Sequence, residues 1–76
     1  MNLTEENKKH LATMYENLKS LRKANGWPIH ELSKISGINE KTLAGIEDGE
    51  DFEVKYLIAL CLLYHVEPHE IFYPIV

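Results

Sequence analysis

Three glycines divide the middle of the chain into short segments, and their spacing limits what the sequence can fold into. Gly26, Gly37 and Gly49 follow one another at intervals of about three helical turns. Glycine adopts the left-handed conformation that ends a helix without a steric penalty. Between these glycines the apolar residues recur at helical spacing, and no segment alternates as a strand would. The pattern therefore predicts short helices joined by tight turns.

Local start and stop signals set the bounds of five predicted helices. Thr4 can cap the first helix, and Asn25-Gly26 ends it. The second helix begins after Pro28, whose fixed φ suits a first helical turn, and Gly37 ends it. Asn39 is a good cap for a third helix, which ends at Gly49. A fourth helix is predicted over about residues 54–65, and a fifth begins near Pro68. The predicted fold class is all-α, with five helices.

Length and composition place the chain among small globular domains. Its 76 residues suffice for one domain. Cys61 is the single cysteine, so an intramolecular disulfide is excluded. Residues 1–10 are charged and carry no apolar core of a signal peptide. The apolar run over residues 57–64 is too short to cross a bilayer. We therefore expect a cytoplasmic protein with no membrane partner.

Charge is distributed unevenly along the chain. Eight basic and twelve acidic residues give a net charge of −4. Between residues 40 and 53 a single basic side chain, Lys41, stands among several acidic ones: Glu40, Glu47, Asp48, Glu50, Asp51 and Glu53. Because neutralisation of phosphates supplies most non-specific affinity for DNA, this segment bears directly on any interaction with nucleic acid.

The most informative pattern lies in the second and third predicted helices. Both are short, their apolar residues Leu32, Leu43 and Ile46 recur at helical spacing, and a turn through Gly37 joins them. Such a pair cannot bury its apolar faces alone, so the other helices must complete the core. The third helix then stands out from the domain, and its N-terminal residues are available to a groove.

In these residues the chain resembles the lambda repressor-like helix-turn-helix family, the group of Cro, the phage cI repressors and the Xre regulators. The resemblance runs over about residues 18–72, and its residues are Leu21-Arg22, Gly26, Glu31-Leu32-Ser33, Gly37-Ile38-Asn39, Thr42-Leu43, Ile46-Glu47-Asp48-Gly49, Val66 and Glu70-Ile71-Phe72. It implies a five-helix DNA-binding domain. The chain is then one domain with a helical extension over residues 4–17, a family-like core over residues 18–72 and a short tail over residues 73–76.

The resemblance also implies roles for individual residues. Arg22 and Glu47 would form a structural ion pair between the first and third helices, and residues 40–47 would be the recognition helix. The candidate DNA-binding residues are Ile29, His30, Lys34, Asn39, Glu40, Lys41, Thr42, Ala44 and Gly45. In the major groove a carboxylate can accept from a cytosine amino group and a lysine can donate to guanine. Glu40 could equally favour the helix N-terminus, and Lys41 could be solvated.

The sequence departs from its relatives at three places that matter for DNA. Ile29 stands where many relatives have a DNA-reading glutamine, and Pro28 replaces the usual serine or threonine cap. The loop over residues 50–53 is acidic where relatives are often basic. These departures leave two hypotheses open, a DNA-binding domain and a protein-interaction module of the same fold.

The fourth predicted helix is apolar beyond its expected core face. Ile58 and Leu62 are four residues apart and lie together on one side of the helix. Paired exposed aliphatic residues usually mark a protein interface. Together with Tyr73, Ile75 and Val76 of the tail, they form a candidate dimer interface. The alternative is a wider buried face, covered by the N-terminal half of the first helix.

No constellation in the sequence indicates catalysis. His10, His30, His65 and His69 lack the spacing of a metal site or a catalytic pair. We expect no enzyme activity, no cofactor and no metal. The sequence predicts a repressor-like transcriptional regulator that binds a palindromic site on double-stranded DNA as a homodimer. The alternative is a phage or mobile-element antirepressor or modulator, which would bind another regulator protein and have weak or no affinity for DNA.

Overall fold

The computed structural model describes residues 3–75. These residues form four α-helices and one 3-10 helix: α1 (Leu3–Ala24), α2 (Ile29–Ser36), α3 (Glu40–Glu47), α4 (Val54–Tyr64) and the 3-10 helix (Pro68–Phe72). Residues 3–75 contain no strand. The all-α architecture and the order of its elements agree with the sequence, but the fifth element is not an α-helix.

The 3-10 helix is short because both of its ends are fixed. At its start, the side chain of Glu67 caps the backbone while Glu70 Oε1 accepts from the Glu67 backbone N–H at 2.9 Å. At its end, Tyr73 is extended, with φ −125° and ψ 151°. Pro74 follows Tyr73, and a residue before proline is pushed away from the helical conformation. The segment is therefore limited to a single short helix.

The three α-helices before α4 end close to the predicted residues. Gly37 has a left-handed φ of 76°, and its backbone N–H donates to Ser33 O at 2.9 Å. The prediction for α4 was one residue too long, since the helix ends at Tyr64 and His65 takes a left-handed φ of 58°. The N–H of Val66 then donates to Cys61 O at 3.0 Å, which satisfies a carbonyl at the end of α4.

All four α-helices and the 3-10 helix contribute to one core. Its buried apolar residues are Met14 and Leu18 of α1, Leu32 of α2, Ile38 of the turn, Leu43 and Ile46 of α3, Leu60, Cys61 and Tyr64 of α4, and Ile71 of the 3-10 helix. Burial of an aliphatic side chain of this size contributes about 1.5–3 kcal/mol. Within residues 3–75, no helix is both long enough and apolar enough to span a membrane.

The C-terminal segment is attached to the first helix. Asn17, which is buried in α1, donates from Nδ2 to Ile71 O at 2.7 Å and to Tyr73 O at 2.8 Å. His10 Nδ1 lies 3.2 Å from Phe72 O, and its ring meets the Tyr73 ring edge-on at 5.6 Å between centroids. The part of α1 that precedes residue 18 therefore holds the 3-10 helix and Tyr73.

Candidate nucleic-acid interface

Two serine hydroxyls fix the turn between α2 and α3. Ser33 Oγ donates to Ile38 O at 2.6 Å, and the Ile38 N–H donates to Ser36 Oγ at 3.1 Å. Gly37, which lies between Ser36 and Ile38, takes the left-handed conformation. Because the turn also buries Ile38 in the core, its direction is set by hydrogen bonds and by packing together. The turn therefore gives α3 a defined orientation on the domain.

The N-terminus of α3 is capped by Asn39. Its Oδ1 accepts from the backbone N–H groups of Lys41 at 2.8 Å and Thr42 at 3.4 Å. Leu43 and Ile46 are buried on the inner side of the helix, whereas Glu40, Lys41 and Ala44 are exposed. This exposed set follows the spacing of one helix face. A capped helix thus offers one carboxylate, one ammonium group and one methyl group to solvent.

An ion pair ties the other end of α3 to α1. Arg22 Nε lies 2.8 Å from Glu47 Oε2, and Arg22 Nη2 lies 2.9 Å from Glu47 Oε1. Arg22 Nη1 also donates to Trp27 O at 2.9 Å. The side chains of Arg22 and Glu47 are only 13% and 10% exposed, respectively. The hydrogen bond to Glu47 raises the pKa of Arg22 above its ordinary value, against the opposing effect of burial.

The predicted DNA-binding residues differ in their accessibility. Six are exposed: His30, Lys34, Asn39, Glu40, Lys41 and Ala44. Ile29 and Thr42 are half-buried, and Ile29 packs against the core. His30 Nε2 lies 3.7 Å from Glu31 Oε2 at the surface. Gly45 differs from all of these, because it is buried.

Glu50 covers Gly45, and sequence reasoning did not single out this contact. A Cβ atom added at Gly45 would lie 2.9 Å from Glu50 Oε2 and 3.3 Å from Glu50 Cδ. The Glu50 backbone N–H also donates to Gly45 O at 2.9 Å. The signal in the sequence was the glycine itself, since glycine inside a helix costs about 1 kcal/mol relative to alanine and needs a packing reason. The structure supplies that reason within the chain.

An acidic groove lies between α3 and the loop that follows it. It encloses about 300 Å³ and is lined by Lys41, Thr42, Gly45, Glu50, Asp51, Phe52, Glu53 and Tyr56. Three carboxylates therefore face one ammonium group across the groove. Glu53 is partly balanced by Lys55, whose Nζ lies 3.5 Å from Glu53 Oε2. The groove presents net negative charge beside the N-terminal half of α3.

The outer face of α4 is apolar and exposed. Ile58 is 42% and Leu62 is 72% exposed. The alternative of a wider buried face beneath α1 is therefore not what the structure contains. Tyr73 is 61% exposed and Ile75 is half-buried. Val76, also assigned to this interface, lies outside the described residues.

The histidines and the cysteine do not assemble into a further site. Within residues 3–75, no group of three histidine, cysteine or acidic side chains is arranged to hold a metal ion. Cys61 is buried in α4, and this burial raises the pKa of its thiol. A thiol of raised pKa is a weak nucleophile at neutral pH. Cys61 therefore acts as a core residue.

Comparison with known proteins gives one match. A family model described as a helix-turn-helix (HTH_3) matches residues 18–71. The matched segment begins inside α1 and includes α2, the turn, α3, α4 and most of the 3-10 helix. No curated protein and no solved structure matches the chain.

Proposed function

The chain belongs to the helix-turn-helix family HTH_3, and from this premise we propose that it is a sequence-specific transcriptional regulator that binds DNA as a homodimer. The observation that carries the proposal is the exposed face of α3, which an Asn39 cap and the Arg22–Glu47 pair hold at its two ends. A short helix held in this way can enter a major groove without reorganising, which lowers the cost of binding.

Each exposed side chain on α3 can contact a particular chemical group of the bases in the major groove. Lys41 suits the O6 and N7 acceptors of guanine, and Glu40 suits the amino group of cytosine. Ala44 offers a methyl group for contact with thymine. Asn39 and Thr42 stand at the helix N-terminus, where phosphate oxygens are favoured. Lys34 and His30 on α2 add two further exposed groups that can position the duplex.

A homodimer would present two copies of α3 to one duplex. The recognition helices of such dimers enter successive major grooves about 34 Å apart and read a palindromic site. The exposed apolar residues Ile58, Leu62 and Tyr73, together with the half-buried Ile75, support a symmetric contact between two copies. The protein would then act as a small repressor-like regulator, by binding rather than by catalysis.

The test of this function is a binding titration with Lys41→Ala. Fluorescence polarisation would compare a fragment of the gene's own promoter with a shuffled duplex of equal length, at low and physiological salt. We expect Lys41→Ala to weaken promoter binding by about 1–3 kcal/mol, because a bidentate base contact is lost. Lys8→Ala serves as the control, since it removes the same charge from an exposed position at the far end of α1. Equal losses for the two variants would contradict a base-reading role for Lys41.

The acidic groove favours a second candidate function. Glu50, Asp51 and Glu53 repel phosphates, whereas they would attract a basic protein surface. The chain would then be an interaction module, such as an antirepressor that binds another regulator. The same titration separates the two functions, since an interaction module would show no preference for the promoter fragment even at low salt.

A further inference from the structure

Glu50 lies against α3 at Gly45, beside the helix face that would meet the duplex under the proposed function. We infer that Glu50 sets the DNA selectivity of α3. Its carboxylate lies against the helix at Gly45, where its charge lowers the affinity for every duplex unless the amino group of a base donates a hydrogen bond to it. This inference rests on the proposed DNA-binding function. It assigns a selectivity-determining role to a residue outside α3 and a positioning role to Gly45.

The position of Glu50 depends on the missing side chain of Gly45. Glu50 Oε2 and Cδ stand 2.9 and 3.3 Å from the place where a Cβ would be. The backbone bond from Glu50 N–H to Gly45 O, at 2.9 Å, fixes where the Glu50 side chain starts. A contact of 2.9 Å is shorter than real Cβ atoms tolerate. With any other residue at position 45, the carboxylate could not keep this place.

The carboxylate of Glu50 is not neutralised within the described residues. Within residues 3–75, no ion pair and no hydrogen bond reaches the Glu50 side chain, and the nearby Glu53 pairs with Lys55 instead. Lys41 lines the same groove but does not pair with it. The Glu50 carboxylate therefore lines the groove with Lys41 and Thr42 and has no ion-pair partner there.

Such a charge acts differently on non-specific and specific complexes. Non-specific affinity comes almost entirely from phosphate neutralisation, so a carboxylate at the interface lowers it for every sequence. In a specific complex, the carboxylate can accept a hydrogen bond from the amino group of cytosine. The penalty then remains for random DNA and is offset at the correct site. The result is a higher ratio of specific to non-specific affinity.

The test compares wild type with Glu50→Gln and with the matched control Asp51→Asn. Both variants replace an exposed carboxylate of the same groove by an amide, but it is Glu50 that supplies the three atoms nearest to the Cβ position of Gly45. Polarisation titrations would use the promoter fragment and a random duplex. We expect Glu50→Gln to tighten binding to the random duplex on the order of five-fold at low salt, with little gain for the promoter. The effect should shrink at higher salt, because exposed charges are screened. Asp51→Asn should leave the promoter-to-random ratio near that of wild type.

Gly45→Ala tests the positioning role. Its Cβ would displace the Glu50 carboxylate, so we expect the promoter-to-random ratio to fall in the wild-type background. In the Glu50→Gln background the same change should have no effect on the ratio, because the displaced group is uncharged. The helix itself should be preserved, since alanine is favoured over glycine inside a helix. Circular dichroism of each variant confirms that it is folded before binding is compared.

The outcomes separate this inference from the function on which it rests. Suppose that wild type prefers its promoter. If Glu50→Gln then keeps the wild-type promoter-to-random ratio, or if Asp51→Asn lowers this ratio as much as Glu50→Gln does, the role of Glu50 is wrong and the proposed function stands. Additive effects of Gly45→Ala and Glu50→Gln would overturn the positioning role in the same way. If neither wild type nor any variant prefers the promoter at low salt, both proposals fail.

Discussion

At the scale of single residues, the hydroxyl of Tyr64 is the least satisfied polar group in the core. Tyr64 is 8% exposed, and its ring stacks on Trp27 at 6.1 Å between centroids. Its hydroxyl finds no hydrogen-bond partner within residues 3–75. Burial raises the pKa of this phenol to about 12; the charge of Glu47 adds to the rise and Arg22 opposes it. Packing of the ring therefore stabilises the fold, whereas the buried, unpaired hydroxyl lowers its stability.

Tyr64→Phe should leave the protein at least as stable as wild type at neutral pH, because it removes an unpaired buried hydroxyl and keeps the ring. The pH dependence should also change. The folded-state pKa is raised above the value near 10 of an unfolded chain, so this group contributes stability below about pH 10 that is lost as pH rises toward 12. Relative to Tyr64→Phe, wild type should lose about 2 kcal/mol of stability between neutral pH and pH ~11.5.

Thermal and urea unfolding across pH 7 to about 11.5 would measure both effects of Tyr64→Phe. Tyr73→Phe is the control, since Tyr73 is exposed and the same atom is removed. A marked loss of stability for Tyr64→Phe at neutral pH would mean that the hydroxyl has a partner that the structure does not show.

The Arg22–Glu47 pair has the opposite character, since both side chains are largely buried and each is hydrogen-bonded to the other. Arg22→Met should destabilise the protein by about 3 kcal/mol, because the largely buried Glu47 carboxylate is left without a partner. Trp27 O would lose its donor as well. Urea titration of Arg22→Met, Glu47→Met and the double variant would measure the coupling. We expect the double variant to lose much less than the sum of the single losses; additive losses would show that the two side chains act independently.

At the scale of elements, α1 acts as the support for the C-terminal segment. Its residues 3–17 precede the matched family segment, which begins at residue 18. Through Asn17 and His10, this part of α1 reaches backbone carbonyls of the 3-10 helix and of Tyr73. The extension is therefore part of the fold, although the residues that it holds lie at the other end of the chain.

Asn17→Ala should destabilise the protein by about 2 kcal/mol, because two hydrogen bonds are lost and a buried carbonyl, Ile71 O, loses its donor. Amide hydrogen exchange should accelerate in the 3-10 helix more than in α2 or α3. Asn25→Ala is the matched control, since its Nδ2 also donates to a carbonyl, Leu21 O at 2.8 Å, but at the exposed end of the same helix. Uniform acceleration of exchange across all helices would argue against a local anchoring role.

At the scale of the whole molecule, the exposed apolar side of α4 is the surface through which we propose that two copies associate. Ile58 and Leu62 together offer an apolar surface that a second copy would cover. Burial of an aliphatic side chain contributes about 1.5–3 kcal/mol. Two such residues from each copy can support a modest symmetric dimer.

Ile58→Glu should make the protein monomeric in sedimentation at micromolar concentration and weaken promoter binding in parallel, because a charge would be buried in the contact between copies. Ile35→Glu is matched in residue type and in exposure, 44% against 42%, and lies on α2. It should leave the sedimentation of the dimer unchanged. A wild-type protein that sediments as a monomer at high micromolar concentration would remove the dimer from the proposed function.

The sequence by itself determined the four α-helices and the turn between α2 and α3, but not the 3-10 form of the fifth element, because the signals of the former act over a few residues. Gly37 ends α2 and Asn39 caps α3 through hydrogen bonds between residues at most four apart. Such bonds form wherever the local residues are right, so they can be predicted from the sequence. The pairing of Arg22 with Glu47, 25 residues apart, came from the family resemblance and not from local rules.

The tertiary structure alone decided which surfaces those helices present. Asn17 meets carbonyls 54 and 56 residues away, and no local pattern encodes that contact. One side-chain conformation places the carboxylate of Glu50 over Gly45. Gly45, a predicted base-reading position, is therefore buried. Leu62 is 72% exposed, although the apolar pattern of α4 also allowed a wider buried face. Each of these outcomes follows from how separated segments fill space together, which helical periodicity does not specify.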